Sequence, residues 1–132
     1  MRLIEFHEAL FNRIRATLDE RVGLYDYLPT KEPMPFVVLA EMVAEETDEL
    51  ASKTGGGYAV VQKISIATRA KEKKWALTIL KQIQTALEAP LVVEGTYQLR
   101  QKFLDVAISE TEDAKYDCET HFEIWLLDQE EL

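Results

Sequence analysis

The stretch Ser52–Arg69, SKTGGGYAVVQKISIATR, contains the clearest strand pattern in the chain. Three consecutive glycines, Gly55–Gly57, stand directly before a run in which apolar and polar residues alternate. Successive side chains of a strand point to opposite sides, so alternation places every second residue on the same face. The pattern therefore predicts a β-strand with one buried face, formed by Tyr58, Val60, Ile64 and Ile66.

Two other segments have the spacing of amphipathic helices. In residues 3–22, apolar residues recur at intervals of three and four. The predicted stripe consists of Ile4, His7, Phe11, Ile14, Leu18 and Val22, widened by Leu3 and Leu10. Gly23 is a natural helix stop. Residues 71–87 predict a second helix whose stripe consists of Trp75, Ala76, Ile79, Leu80, Ile83 and Leu87.

The remaining segments predict further strands and a crossing loop. Residues 24–35 contain three prolines, which indicates a fixed extended loop with Tyr25, Tyr27 and Leu28 against the core. The strands are expected at 36–43, buried on both faces, at 91–93, at 97–108 with a bulge near 103–104, and at 116–127. This order predicts one α+β domain over residues 1–132: a mainly antiparallel sheet of about four to five strands with two helices packed on one face.

Residues 44–57 lack any periodicity and combine an acidic run with the glycines. We expect a long mobile loop here, because long loops in compact domains are usually functional or disordered. The glycines do not form a phosphate-binding loop, since no Gly-Lys-Ser/Thr follows and they precede a strand. They are interpreted as a hinge.

Composition and charge limit the possible functions. The apolar fraction of 47% is typical of a globular protein, the single Cys118 excludes an intramolecular disulfide, and no apolar run is long enough to cross a membrane. The net charge of −9 argues against a protein that binds nucleic-acid phosphates. The charge is unevenly distributed: residues 1–52 carry −6, residues 53–102 carry +6 and residues 103–132 carry −9. Either folding intermixes these charges, or the basic flank of one copy meets the acidic flank of another.

No residue pattern indicates catalysis or a cofactor. Cys118 and His121 form a C-x-x-H pair, but this spacing in a strand places them on opposite faces. One cysteine and two histidines are too few for a convincing zinc site. We therefore expect no enzyme activity, no cofactor and no metal.

Several blocks in order resemble one family. They are LYDYLPTKEPMPFVVLAE (Leu24–Glu41), SKTGGGYAVVQKISIATR (Ser52–Arg69), a helix with ALTILKQIQTALEAPL, and the strand THFEIWLL. Together they resemble the tail completion proteins of long-tailed double-stranded DNA phages and prophages, also called tail terminator or tail-to-head joining proteins. The resemblance covers almost the whole chain, and its motifs are structural.

The resemblance implies a non-enzymatic virion protein that forms a ring, commonly a hexamer, on the finished tail. Its partners would be copies of itself, the tail-tube protein and the head–tail connector protein, with no sequence-specific nucleic acid and no membrane. The acidic and Gly-rich loop and the basic cluster after the strand are the candidate interface residues: Glu45, Glu46, Asp48, Glu49, Lys53, Thr54, Gly55, Gly56, Gly57, Arg69, Lys71, Lys73 and Lys74.

Two alternatives remain open at this point. The first is a small α+β binding module or accessory enzyme that uses the sheet face near Trp125 as a pocket. The second is a nucleic-acid-binding protein that uses Lys71, Lys73 and Lys74, which would show salt-dependent affinity for DNA.

Overall fold

The structure of the protein, a computed structural model, describes residues 1–47 and 57–129. Within these ranges the chain forms two helices and five strands: α1 (Leu3–Thr17), β1 (Gly23–Tyr25), β2 (Phe36–Glu46), β3 (Gly57–Thr68), α2 (Lys73–Ala86), β4 (Thr96–Glu110) and β5 (Tyr116–Asp128). Neither helix is long and apolar enough to cross a membrane.

The five strands form one sheet in the order β1-β2-β3-β5-β4. Only β1 and β2 run parallel; the other three neighbouring pairs are antiparallel. The predicted α+β fold with a mainly antiparallel sheet is therefore confirmed. β3 and β5 occupy the middle of the sheet and pair along their whole length, from Gly57 opposite Leu127 to Thr68 opposite Tyr116.

The core lies between the helices and one face of the sheet. Every second residue of β3 from Tyr58 to Thr68 is buried, as the alternation predicts. The same holds for β5, where Cys118, Phe122, Ile124 and Leu126 are buried. α2 buries Ala76, Ile79, Leu80, Ile83 and Ala86 against this face. Burial of these apolar side chains is the main favourable term for the fold.

The first helix differs from its prediction in length and in orientation. It ends at Thr17 instead of Val22, because the Asp19 carboxylate accepts a hydrogen bond from the Arg21 backbone N–H and forms a local turn. Its buried face consists of Phe6, Leu10 and Ile14. Leu10 and Ile14 are buried as predicted, but Ile4 is 72% exposed and Phe6 is buried in its place, so the true buried face is rotated toward Phe6.

The segment between α1 and β2 contains a strand that the sequence did not predict. Gly23–Tyr25 pairs with Phe36–Val38. Tyr27 and Leu28, expected against the core, are 60% and 77% exposed. The predicted short strand at 91–93 is also wrong; this segment has no strand structure, although Leu91 and Val93 are buried.

β2 contains a bulge between Leu39 and Met42 that shifts its register against β3. The buried side chain of Gln62 fills this irregularity: its amide nitrogen lies 3.1 Å from the Ala40 carbonyl oxygen and 3.3 Å from that of Glu41. Donors supplied here satisfy carbonyl groups that the ladder leaves unpaired. The bulge predicted in β4 near 103–104 is confirmed, and a second one lies between Gln98 and Arg100.

Candidate interface

The acidic candidate residues that the structure describes lie at the end of β2. Glu45 and Glu46 are exposed and pair in the sheet with Ala59 and Tyr58. The strand thus extends three residues into the predicted loop, and Gly57 already belongs to β3. Asp48, Glu49, Lys53, Thr54, Gly55 and Gly56 lie outside the described residues.

This end of the sheet is fixed by a buried polar contact. The Tyr58 hydroxyl donates a hydrogen bond of 2.6 Å to Asp128 Oδ1 and accepts one of 2.9 Å from the Arg2 backbone N–H. Burial raises the pKa of Tyr58 well above its usual range. The Met1 amino group lies 3.2 Å from the other oxygen of Asp128. β3, β5 and the segment before α1 are therefore joined beside Glu46.

The basic candidate residues follow the opposite end of β3. Arg69 and Lys71 are exposed in the turn before α2, and Lys71 has a φ of 66°, so it precedes the helix in which it was predicted. Lys73 and Lys74 are exposed in the first helical turn. Within the described ranges, none of these four side chains forms an ion pair.

The structure does not bring the acidic and basic groups together. They stand at opposite ends of the twelve-residue strand β3, a distance of about 36 Å at roughly 3.3 Å per residue. The basic end also contains the turn from β4 to β5, where Glu110, Glu112 and Asp113 are exposed. At this end, folding therefore places carboxylates of the β4–β5 turn near the four cations, so part of the charge is intermixed.

The sheet face opposite the helices carries a row of charged cross-strand contacts. Lys63 lies 3.3 Å from Glu119, and His121 lies 2.8 Å from Asp105. The Arg100 guanidinium carbon stands 3.6 Å from the Trp125 ring centroid, with Glu123 3.9 Å from its Nη2. The stacked cation covers the indole face. Sequence reasoning missed these pairs, because only the strand register brings them together.

A groove of about 510 Å³ crosses the same sheet face at its basic end. Strands β2, β3 and β5 form its floor, and the segment after β1 forms one wall; residues lining it include Tyr27, Leu28, Lys63, Asp117 and Glu119. Burial, followed by the nearby Glu119 carboxylate, raises the pKa of Asp117. Trp125 does not line the groove.

The described part of the chain offers neither a cluster of metal ligands nor an accessible thiol. No group of three or more His, Cys, Asp or Glu side chains there could hold a metal ion. Cys118 is buried in the core, and burial raises the pKa of its thiol, which disfavours the reactive thiolate.

The fold and these surfaces define a small α+β protein whose charged candidate residues lie at the two ends of a single sheet, with ion pairs across one face of that sheet. Residues 8–126 match the family model described as "Tail completion protein gp17". This match covers most of the chain, which therefore belongs to the tail completion protein gp17 family, a family of phage tail structural proteins. The resemblance inferred from the sequence is confirmed.

The fold is similar to a chain in a solved structure titled "Virion of native gene transfer agent (GTA) particle". The TM-score is 0.72 and the identity 20%, and the likeness covers 91% of this chain and 92% of that chain. At this identity the likeness establishes the shared fold. Among curated protein sequences, none matches this chain significantly.

Proposed function

We propose that this chain completes the tail of a phage or prophage virion by forming a ring on the tail tube, and that the ring joins the tail to the head. The observation that carries the proposal is membership of the tail completion family over residues 8–126. The fold shared with a chain of a virion particle supports it. In this role the protein positions other proteins and catalyses no reaction. The family resemblance favours a hexameric ring.

The candidate interface residues serve this role from the two ends of the sheet. One end presents Glu45 and Glu46, and the other presents Arg69, Lys71, Lys73 and Lys74. In a ring whose strands run from one rim to the other, these ends face different neighbours along the tail. We assign the tail-tube protein to the basic end and the head–tail connector protein to the acidic end.

The net charge of −9 suits a ring through which DNA passes. Like charges repel, so an acidic protein does not retain the phosphate backbone. The four exposed cations near α2 are available to protein carboxylates, which are the partners we assign to them. Sequence-specific nucleic-acid binding is not part of the proposed function.

Electron microscopy of particles made with and without this protein tests the proposal. Without it we expect tails of uncontrolled length, or tails that lack heads, and re-expression of the chain should restore normal particles. Normal, head-attached tails in the absence of the protein would overturn the proposal. The mass of the purified chain, alone and mixed with tail tubes, gives a second measurement. A strictly monomeric chain that ignores tubes would count against a ring.

A pocket at Trp125, the basis of the alternative binding module, is not favoured by the geometry. Arg100 occupies the indole face at 3.6 Å from the ring centroid, and the groove on this side of the sheet lies elsewhere. The stacked Arg100 therefore leaves no open pocket at the Trp125 ring for a small ligand.

A further inference from the structure

Two stretches at the edges of the sheet lack a neighbouring strand in the described part of the chain. One is the whole outer side of β4, whose partner on the other side is β5. The other is residues 39–46 of β2, because β1 pairs only with Phe36–Val38. We call these two stretches the open edges. Unpaired backbone groups along such an edge can accept another strand.

Exposed apolar side chains are concentrated on the open edges. Within the described ranges, eleven large apolar side chains are exposed, and five of these lie on the two stretches: Val43, Tyr97, Leu99, Leu104 and Val106. β4 has no fully buried residue at all, whereas the neighbouring β5 buries about every second one. Apolar side chains grouped on a surface indicate contact with another protein.

The regularly paired parts of the two open edges lie at the same height along the strand direction, in the same rows of paired residues. After its bulge, β2 is regular over residues 42–46, and β4 is regular between its two bulges over residues 100–103. The register runs straight across the sheet from Glu45 through Ala59 and Trp125 to Arg100. A second copy set beside the first in the same orientation would therefore bring these regular segments together.

The directions of the strands also match. β2 and β5 run the same way, since each is antiparallel to β3, and β4 runs against β5. β4 of one copy is consequently antiparallel to β2 of a copy placed beside it. Antiparallel neighbours need no crossover and form a regular hydrogen-bonded ladder.

The charges on the two open edges are opposite. The regular part of β4 carries Arg100 and Lys102, and the facing stretch of β2 carries Glu41, Glu45 and Glu46. If the second copy stands beside the first at the same height, Arg100 of the first copy lies opposite Glu45 of the second copy. Lys102 of the first copy then lies diagonal to the same Glu45. Opposite charges across a ladder favour pairing. If the register slips by two residues, the side chains keep their faces, and Lys102 can stand directly opposite Glu45.

We propose that β4 of one copy adds antiparallel to residues 42–46 of β2 in the next copy, and that this pairing joins neighbouring subunits of the ring. The inference rests on the proposed ring and names the surface that forms it. The contact is heterologous, because one copy contributes β4 and the other contributes β2. Contacts of this kind close into rings when the rotation between copies allows it. The partner is thus a second copy of this chain.

Disulfide cross-linking tests the pairing. The variants combine Lys102→Cys with Glu41→Cys, Val43→Cys or Glu45→Cys, and the native Cys118 stays because it is buried. Within one chain, β2 and β4 are three strand spacings apart, about 14 Å, whereas a disulfide needs Cα atoms within about 7 Å. Any disulfide between these positions must therefore join two copies. We expect most of at least one variant to form covalent dimers and larger species on oxidation.

The control is Lys102→Cys with Leu77→Cys, which uses an exposed apolar residue of α2 instead of the β2 edge. If none of the three variants forms more covalent dimer than the control, the proposed pairing of the edges is wrong. If such variants still complete tails, the pairing alone is wrong and the proposed function stands. Normal tails made without the protein would contradict the function itself.

Charge reversal gives an independent readout. Lys102→Glu should weaken self-association because Lys102 stands diagonal to Glu45 of the next copy, and adding Glu45→Lys should restore the association. The matched control is Lys81→Glu on α2, which changes the same charge away from both open edges. Equal weakening by Lys81→Glu, or no restoration by the second substitution, would contradict the proposed contact.

Discussion

The Tyr58 hydroxyl and the Asp128 carboxylate share a buried hydrogen bond of 2.6 Å that joins the start of β3 to the end of β5. The same hydroxyl accepts the Arg2 backbone N–H. One phenol thus holds the two central strands and the segment before α1 in place. A buried donor with two defined partners is costly to remove, because both partners lose a hydrogen bond.

Tyr58→Phe should lower the free energy of unfolding by about 1–3 kcal/mol, since it leaves Asp128 and the Arg2 N–H without this partner. Urea unfolding near pH 7 measures the change. The matched control is Tyr97→Phe, because Tyr97 is 48% exposed. A Tyr58→Phe variant as stable as the control would show that the hydrogen bond contributes little.

The stability difference between wild-type and Tyr58→Phe should depend on pH in alkaline solution. Burial raises the pKa of Tyr58, so the folded state favours the neutral phenol. Its contribution is complete below the ordinary tyrosine pKa of about 10 and is lost as the pH rises toward the raised pKa. We therefore expect the stability difference between wild-type and Tyr58→Phe to shrink above about pH 10.

Arg13→Met should destabilise the fold because Arg13 caps the C-terminus of α2. Its guanidinium donates to the carbonyl oxygens of Ala86, Ala89 and Pro90 at 3.0–3.2 Å. Carbonyls at a helix C-terminus favour a cation, and we expect a loss of about 1–2 kcal/mol in urea unfolding.

Arg13→Lys should lose less than Arg13→Met, since it keeps the charge without the guanidinium fork. Arg21→Met is the control: Arg21 pairs with Asp19 on the surface, and exposed pairs contribute about 0–1 kcal/mol. Losses of equal size at both sites would contradict the capping role.

Lys73→Glu combined with Lys74→Glu should weaken docking on tail tubes while the monomer stays folded. Both side chains are exposed in the first turn of α2, where carboxylates are favoured over cations by about 0.3–1 kcal/mol each. Stability should therefore be unchanged or slightly higher. Co-sedimentation with tail tubes and urea unfolding measure the two effects separately. A parallel loss of folding and docking would place the role of these lysines inside the protomer.

Asp117→Asn should stabilise the protein slightly at pH 7. The pKa of Asp117 is raised, first by burial and then by Glu119, so its charge is unfavourable in the folded state at neutral pH. Because this carboxyl is only partly buried, we expect a gain within about 0.5 kcal/mol. The gain should vanish as the pH falls below the ordinary aspartate pKa, where wild-type is protonated as well. Thermal unfolding at several pH values checks this.

The strands that could be predicted from the sequence are those with one buried face. In β3 and β5, burial alternates along the chain, so a local pattern fixed both the strand and its inward side. β1 could not be found this way: it has three residues, and it exists only because the chain returns beside Phe36. The orientation of α1 was ambiguous, because Ile4 and Phe6 belong to two overlapping apolar stripes and only packing selects one.

Less of the candidate interface followed from the sequence. The separation of Glu46 from Arg69 was implied by the length of β3, because one precedes the strand and the other follows it. The stacking of Arg100 on Trp125 was not, since no local pattern shows which residues of β4 and β5 stand opposite each other. The open edges likewise became visible only with the strand order, which no local pattern encodes.

The strand order also determines when the protein can fold. The central partners β3 and β5 are separated by α2, β4 and their connections, so the ribosome must synthesise residues up to 128 before they can pair fully. Until then β4 has no neighbouring strand, and β3 is paired only on its β2 side. Contacts between distant parts of a chain form slowly, because closing a long loop costs entropy first. The emerging chain therefore leaves apolar strands exposed until β5 is synthesised, and pairing of β5 with β3 completes the core.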